Sequence, residues 1–438
     1  MNKKVIYYAI TVALGGFLFG FDTAVISGAE QSIQKLWDLD TIAHGLTVSI
    51  ALFGTMFGAL FGGIPAHKYG RKNTLIVIGI LYFVSALGSA VTENWYLFLF
   101  YRFIGGLGVG ASSVAAPMYV SEISPANARG RLVALFQFNI VFGILIAFLS
   151  NYLIAGMEIV NDWRYMLGVE SLPAIIFTFL MLKVPESPRW LIVKRGDVDQ
   201  ARRIFLLIGE SNIKERLAQI GKAIDTREKS KINWSLYRRP IVLAILFAFF
   251  NQVSGINAII YYAPRIFEMT GLGKSSALLS SVGIGAVNFI FTLLALNFID
   301  RLGRKILMHI GSFGLICTLG LVAYAFKFTS VQTMAVPLYL FAYIGFFAFS
   351  QGAVIWVFIS EIFPNEVRAF GQSLGSFTHW LMAAIISFTF PAFTELLGPS
   401  MTFLVFAIMM IFQWVFVAVA MPETGGKSLE ELGDNLTK

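Results

Sequence analysis

Twelve stretches of this chain are apolar over lengths that reach across a lipid bilayer: residues 6–28, 46–66, 73–92, 96–120, 131–155, 163–184, 240–263, 275–299, 306–328, 334–359, 369–393 and 400–421. A hydrocarbon core of about 30 Å takes roughly 20 residues of helix. In lipid a backbone must satisfy its own hydrogen bonds, and an isolated apolar segment does so only as a helix. The expected class is therefore an all-α polytopic membrane protein with twelve transmembrane helices. Composition excludes a water-soluble globule, because 57% of the residues are hydrophobic and only 13% charged.

The loops between spans set the orientation. About 27 of the 33 Lys and Arg residues fall in the termini or the even-numbered loops, and basic residues are retained on the cytoplasmic side. Both termini are thus expected in the cytoplasm, with a bacterial inner (cytoplasmic) membrane as the setting. The net charge of +8 then belongs to a face lying against anionic lipid, so no nucleic-acid partner is needed to explain it. The first span lacks a small-residue cleavage site and is read as a membrane helix. The single Cys317 lies within a span, which excludes a disulfide framework.

Motifs recur about 235 residues apart. Tyr69-Gly70-Arg71-Lys72 returns as Leu302-Gly303-Arg304-Lys305, and Ser121-Glu122-Ile123 as Ser360-Glu361-Ile362, followed by Pro125 and Arg129 or by Pro364 and Arg368. A membrane-borne repeat of that length builds two halves around a central binding site. The expected division is a six-helix bundle over 1–184, a cytoplasmic helical linker over 185–239, a pseudo-symmetric six-helix bundle over 240–421 and a cytoplasmic tail over 422–438. Within the linker Ala201, Ile204, Phe205 and Ile208 recur at helical spacing after Asp197, a helix-capping residue.

Two glycine-rich segments imitate nucleotide motifs. Gly271-Leu272-Gly273-Lys274-Ser275 lacks the first glycine of a phosphate loop, since Glu268 stands there. Gly105 to Gly110 lies inside an apolar span, where small residues let helices approach closely. No nucleotide, cofactor or metal is expected, and no cluster of nucleophile, base and metal ligands marks an enzyme.

Charges inside spans cost about 2.5–3.5 kcal/mol each on insertion scales unless paired or facing water. Asp22 in span one, Arg102 in span four and Glu170 in span six are such charges. They are candidates for a proton or ion site, against the simpler role of a structural ion pair. At the cytoplasmic helix ends, Arg71, Glu122, Arg129, Arg304, Glu361 and Arg368 are candidates for a charge latch that holds the inner face shut, against simple topology control. Uncharged polar groups within spans suit a hydroxyl-rich neutral ligand: Gln137, Asn251, Gln252, Asn257, Asn288, and His379 beside Trp380. Amides both donate and accept, and an indole offers a flat apolar face to a sugar ring. A repeat offset of 242 links Gln137 to His379. For any one amide, a hydrogen bond between helices is the competing role.

These features resemble the sugar porter branch of the major facilitator superfamily over essentially the whole chain. The resemblance rests on Pro185-Glu186-Ser187-Pro188-Arg189-Trp190 after span six, Pro422-Glu423-Thr424-Gly425-Gly426-Lys427-Ser428-Leu429-Glu430 after span twelve, and the paired motifs above. It implies alternating access to a monosaccharide site at mid-membrane. Gln137, Gln252, Asn257, Asn288 and Trp356 resemble sugar-contacting positions, and Tyr261 and Tyr262 an outer gate. Asp22 resembles the acidic residue of bacterial xylose and glucose proton symporters, where animal facilitative carriers have Asn. Arg102 and Glu170 match positions around that acid. The chain departs from the pattern at Asn251, where the family has a second Gln, and at His379, usually Gln or Asn. It departs again at Ala353, often Pro, and at His67, usually Asp.

The expectation is proton-coupled monosaccharide import by a carrier that works as a monomer. The rivals are a facilitative uniporter of the same fold and a sugar sensor that does not transport.

Overall fold

The computed structural model describes residues 2–125, 128–210, 212–218, 220, 234–328, 332–364 and 367–426. Parts of the expected linker, the tail beyond Gly426 and the Arg129 side chain lie outside the described residues.

Among the described residues, eleven helices are long and apolar enough to cross a membrane. Spans one to five are Lys3–Leu36, Thr41–Phe61, Arg71–Val91, Trp95–Ile123 and Arg129–Ala155. Span eight is Lys274–Leu302 and span nine Arg304–Lys327. The last helix, Arg368–Val419, has 52 residues. At 1.5 Å per residue it would run on the order of 75 Å, far beyond one bilayer crossing. It breaks at Gly398, whose φ of 76° and ψ of 159° are not helical, so it supplies spans eleven and twelve. With these two, the chain crosses twelve times.

Three spans are interrupted near mid-depth. Span six divides into Asp162–Gly168 and Ser171–Leu182, leaving Glu170 at the join. Span seven runs as Arg238–Gln252, Ile256–Tyr261 and Ala263–Glu268. Its first break turns on Gly255, where φ is 85° and an added Cβ would sit 2.6 Å from the Phe406 ring. Only glycine suits that position. Span ten divides at Ser350 into Gln332–Phe349 and Gln351–Glu361. Ala353, in place of a proline, therefore does not leave span ten continuous. Interrupted helices free backbone groups beside a cavity, which suits ligand binding at depth.

Span one packs on span five, and span two on span four. The Gly105–Gly110 run explains the second contact: a Cβ on Gly106 would lie 1.9 Å from the Ala51 carbonyl oxygen, so these backbones nearly touch. The halves meet where span two packs on the last helix and span five on span eight. The first described residue, Asn2, and the helix Val198–Ile208 lie together at one end of the bundle, called the termini end, where Asn2 Nδ2 donates to the Leu207 carbonyl oxygen at 3.1 Å. Asp197 caps that helix by accepting from Gln200 N at 2.8 Å, and Ala201, Ile204, Phe205 and Ile208 are buried.

Candidate functional site

In the first half the three intramembrane charges come together. Arg102 Nη1 donates to Asp22 Oδ1, and Nη2 lies 3.4 Å from the Asp22 carbonyl oxygen. Glu170 interacts electrostatically with both. The three side chains belong to residues only 2%, 1% and 2% exposed. Glu170 Oε1 and Arg102 Nε are buried without a hydrogen-bond partner among the described residues. With every group ionised, two carboxylates face one guanidinium and the cluster carries one surplus negative charge. A single proton makes it neutral, and in a medium that solvates charge poorly that difference is large.

In the second half, neutral amides form a chain. Asn257 Nδ2 donates to Gln252 Oε1 at 2.6 Å, and Gln252 Nε2 donates to Asn251 Oδ1 at 2.9 Å. Asn257 reaches Gln252 because the break at Gly255 lies between them. Gln252 Nε2 also lies 3.2 Å from the ring nitrogens of His379. That imidazole sits between two indoles, 4.9 Å from Trp356 and 4.8 Å from Trp380 between ring centroids. Trp380 Nε1 is buried without an acceptor among the described residues, and its ring meets Phe19 of the first half at 5.5 Å. Asn288 on span eight and Gln137 on span five have no hydrogen bond to protein among the described residues; Asn288 is buried and Gln137 half-buried. Tyr261 and Tyr262 are buried, and Tyr262 Oη donates to the Ser387 carbonyl at 3.0 Å.

Among the described residues, Arg71 and Arg304 at the termini end pair within their own halves and not between halves. Arg71 bonds Glu122 through two nitrogens at 2.9 Å each, and Arg304 bonds Glu361 at 3.1 and 2.8 Å. Such two-point pairing holds both planes rigidly. Each junction is closed by a second glutamate. Glu186 Oε1 accepts from Arg71 N and Lys72 N at 2.9 and 3.1 Å. Glu423 accepts from Arg304 N and Lys305 N at 3.0 and 2.9 Å. Gly70 and Gly303, with φ of 102° and 83°, turn the chain there; a Cβ on Gly70 would meet Glu186 and one on Gly303 would meet Glu423. Asp300 adds a contact to Arg304 at 3.0 Å, and in the first half the His67 carbonyl accepts from Trp190 Nε1 at 2.8 Å. Arg368 Nε lies 3.4 Å from the Phe363 carbonyl, and its Nη2 is buried without a partner among the described residues.

At the opposite end, contacts do cross between halves. Arg265 binds Glu30, Lys274 Nζ reaches Asp162 at 3.0 Å, and Thr41 bonds Glu395. Motif reading missed Glu186 and Glu423 as structural ligands, although Pro-Glu-Ser and Pro-Glu-Thr stand 237 residues apart and could have been paired. It also missed Glu30, His44 and Arg265.

A twelve-crossing bundle with interrupted helices, and a polar site shared by two similar halves, defines a membrane carrier. The profile of the sugar (and other) transporter family matches residues 8–436. A D-xylose transporter of Levilactobacillus brevis is 37% identical over 96% of this chain and 93% of its own. The D-xylose-proton symporter of Escherichia coli K12 is 34% identical over 98% and 96%. The inward-open structure of the E. coli xylose transporter XylE superposes with a TM-score of 0.88 at 32% identity, covering 99% of this chain and all of that one. The chain belongs to the sugar transporter family of the major facilitator superfamily. It is a multi-pass membrane carrier of sugars and not an enzyme.

Proposed function

We propose that this carrier imports a monosaccharide of the glucose or xylose type together with a proton across a bacterial cytoplasmic membrane, with both termini inside. The observation that carries the reading is the buried cluster of Asp22, Arg102 and Glu170, whose charge changes by one with one proton. The E. coli relative with 34% identity is a proton symporter, which favours the same coupling here.

The sugar would bind between the halves, mostly against the second. Its hydroxyls would exchange with the amide chain of Asn251, Gln252 and Asn257, with Asn288 and Gln137 closing the site from spans eight and five. Trp356 and Trp380 would supply ring faces, and His379, in contact with Gln252, would help select among sugars. Tyr261 and Tyr262 would cover the site from outside. Protonation of Asp22 would release Arg102 and let the two halves rock about the loaded site. The junctions of Arg71, Glu122 and Glu186 and of Arg304, Glu361 and Glu423 would keep the inner helix ends moving as units. Closed contacts at the outer end and the fit to an inward-open relative support an inward-facing resting state.

A proton entering through 100 mV supplies about 2.3 kcal/mol, enough for roughly fifty-fold accumulation at tenfold per 1.4 kcal/mol. Proteoliposomes holding the purified carrier should concentrate glucose or xylose when an inward proton gradient is imposed and lose it on adding a protonophore. Equilibration without accumulation would instead support a uniporter. Counterflow against a panel of unlabelled sugars identifies the substrate.

A further inference from the structure

At the outer end of the bundle a carboxylate lies wholly buried between the halves. Glu30, near the end of span one, has no exposed surface. Arg265, in the short helix Ala263–Glu268 of the second half, grips it at two points, Nε to Oε1 at 2.9 Å and Nη2 to Oε2 at 2.7 Å. His44 Nε2, in the first turn of span two, lies 2.8 Å from the same Oε2. Gln34 Oε1 accepts from Arg265 Nη2 at 2.6 Å, which fills the arginine's inner side. The His44 ring also meets Tyr262 edge-on, with centroids 6.0 Å apart. Next to it, Gly45 lets span two lie against span eleven, where an added Cβ would come within 2.2 Å of the Phe388 carbonyl oxygen.

We infer that Glu30, His44 and Arg265 form an outer latch whose opening and closing sets how often the carrier faces outward. A pair with a purely structural role belongs inside one rigid half, as Arg71 with Glu122 and Arg304 with Glu361 do. Glu30 and Arg265 instead stand on opposite halves, so alternating access must part them once per cycle. Opening the outer side must break this two-point charge-assisted contact, so the pair holds the outer side shut. His44 travels with Glu30 on the first half and keeps one hydrogen bond to the carboxylate after Arg265 leaves. That makes the contact reversible: the opened state is penalised without being forbidden. Lys274 with Asp162 is a weaker neighbour, because the Lys274 side chain is 58% exposed and screened by water.

The test reads outer accessibility in the full-length carrier. In a Cys317→Ser background, Ser49→Cys puts a thiol one helical turn deeper than Gly45 at a buried position, and a membrane-impermeant maleimide is added from outside. Glu30→Gln and Arg265→Gln should each speed labelling by at least about tenfold, equivalent to about 1.4 kcal/mol of lost closure. Arg265→Lys keeps the charge and should label nearly as slowly as the parent. Sugar exchange across the membrane shows which variants remain folded, and Arg265→Lys against Arg265→Gln decides if Glu30→Gln does not. Unchanged labelling in the neutralised variants, or equally fast labelling in Arg265→Lys, overturns the latch. The inference rests on alternating access and not on proton coupling: lost accumulation with the labelling pattern intact would count against coupling alone.

Discussion

At mid-depth the first half of the carrier buries ions, Asp22, Arg102 and Glu170, while the second buries a chain of neutral amides, Asn251, Gln252 and Asn257. At the termini end the same two halves are nearly copies, each with an arginine held by two glutamates beside a glycine turn. Repetition is therefore kept at the termini end and abandoned at mid-depth, where each half buries different chemistry. Ions respond to protons and amides do not, so on the proposed reading the first half senses protons and the second supplies most of the sugar contacts.

The largest effect should come from unbalancing the ionic half. Arg102→Ala leaves two buried carboxylates without a counter-charge, a loss of about 3–5 kcal/mol in stability. Thermal unfolding of the purified protein should show it, with partial recovery in Arg102→Ala combined with Asp22→Asn. Equal stability of both variants would mean that the cluster is already well solvated and not set apart from the amide half.

A smaller effect is expected in the amide half. Gln252→Ala removes contacts worth about 1–3 kcal/mol, so calorimetry should record sugar binding weakened by roughly ten- to a hundredfold. The number of protons carried per sugar should not change. A changed ratio would break the division between halves.

Smallest is a difference between the two junctions. Burial raises the Glu186 carboxyl above the usual glutamate range, and its backbone N–H donors from Ser187, Lys72 and Arg71 offset this only in part. At Glu423 burial is opposed and outweighed by backbone donors from Gly425, Lys305, Arg304 and Thr424, which lower it. Stability from the charged form of Glu423 is thus complete above the unfolded value and lost only as pH falls through the lower folded value. Glu186 gains its proton earlier on the same descent. Hydrogen exchange, corrected for intrinsic rates, should show Arg71 and Lys72 amides losing protection at higher pH than those of Arg304 and Lys305. Simultaneous loss would make the junctions equivalent after all.

Much of the architecture was legible because bilayer thickness fixes span length and the repeat exposes the two halves. Asp22, Arg102 and Glu170 were legible as anomalies, since a charge in an apolar run must be satisfied somewhere. Their contact was not legible, since 80 residues separate Asp22 from Arg102. The break at Glu170 is flanked by Gly168 and Pro173, a signal that could have been read, whereas that at Ser350 has only Gly352 beside it and depends more on tertiary packing. Glu30 escaped notice because a charge near a span end reads as interfacial, and only the docking of Arg265 from the other half makes its burial tolerable. The motif charges suit either an inner latch or topology control, and in this structure Arg71 and Arg304 have local partners because each glutamate lies at the end of a helix packed within the same half.

The most direct test of proton sensing in the first half is Asp22→Asn, measured in proteoliposomes for two quantities at once: sugar exchange at equal pH, and uphill uptake with alkalinisation of the outside medium. The account predicts that exchange persists while accumulation falls from the order of fifty-fold to none and the pH signal vanishes. Normal accumulation with an intact pH signal in Asp22→Asn would contradict it.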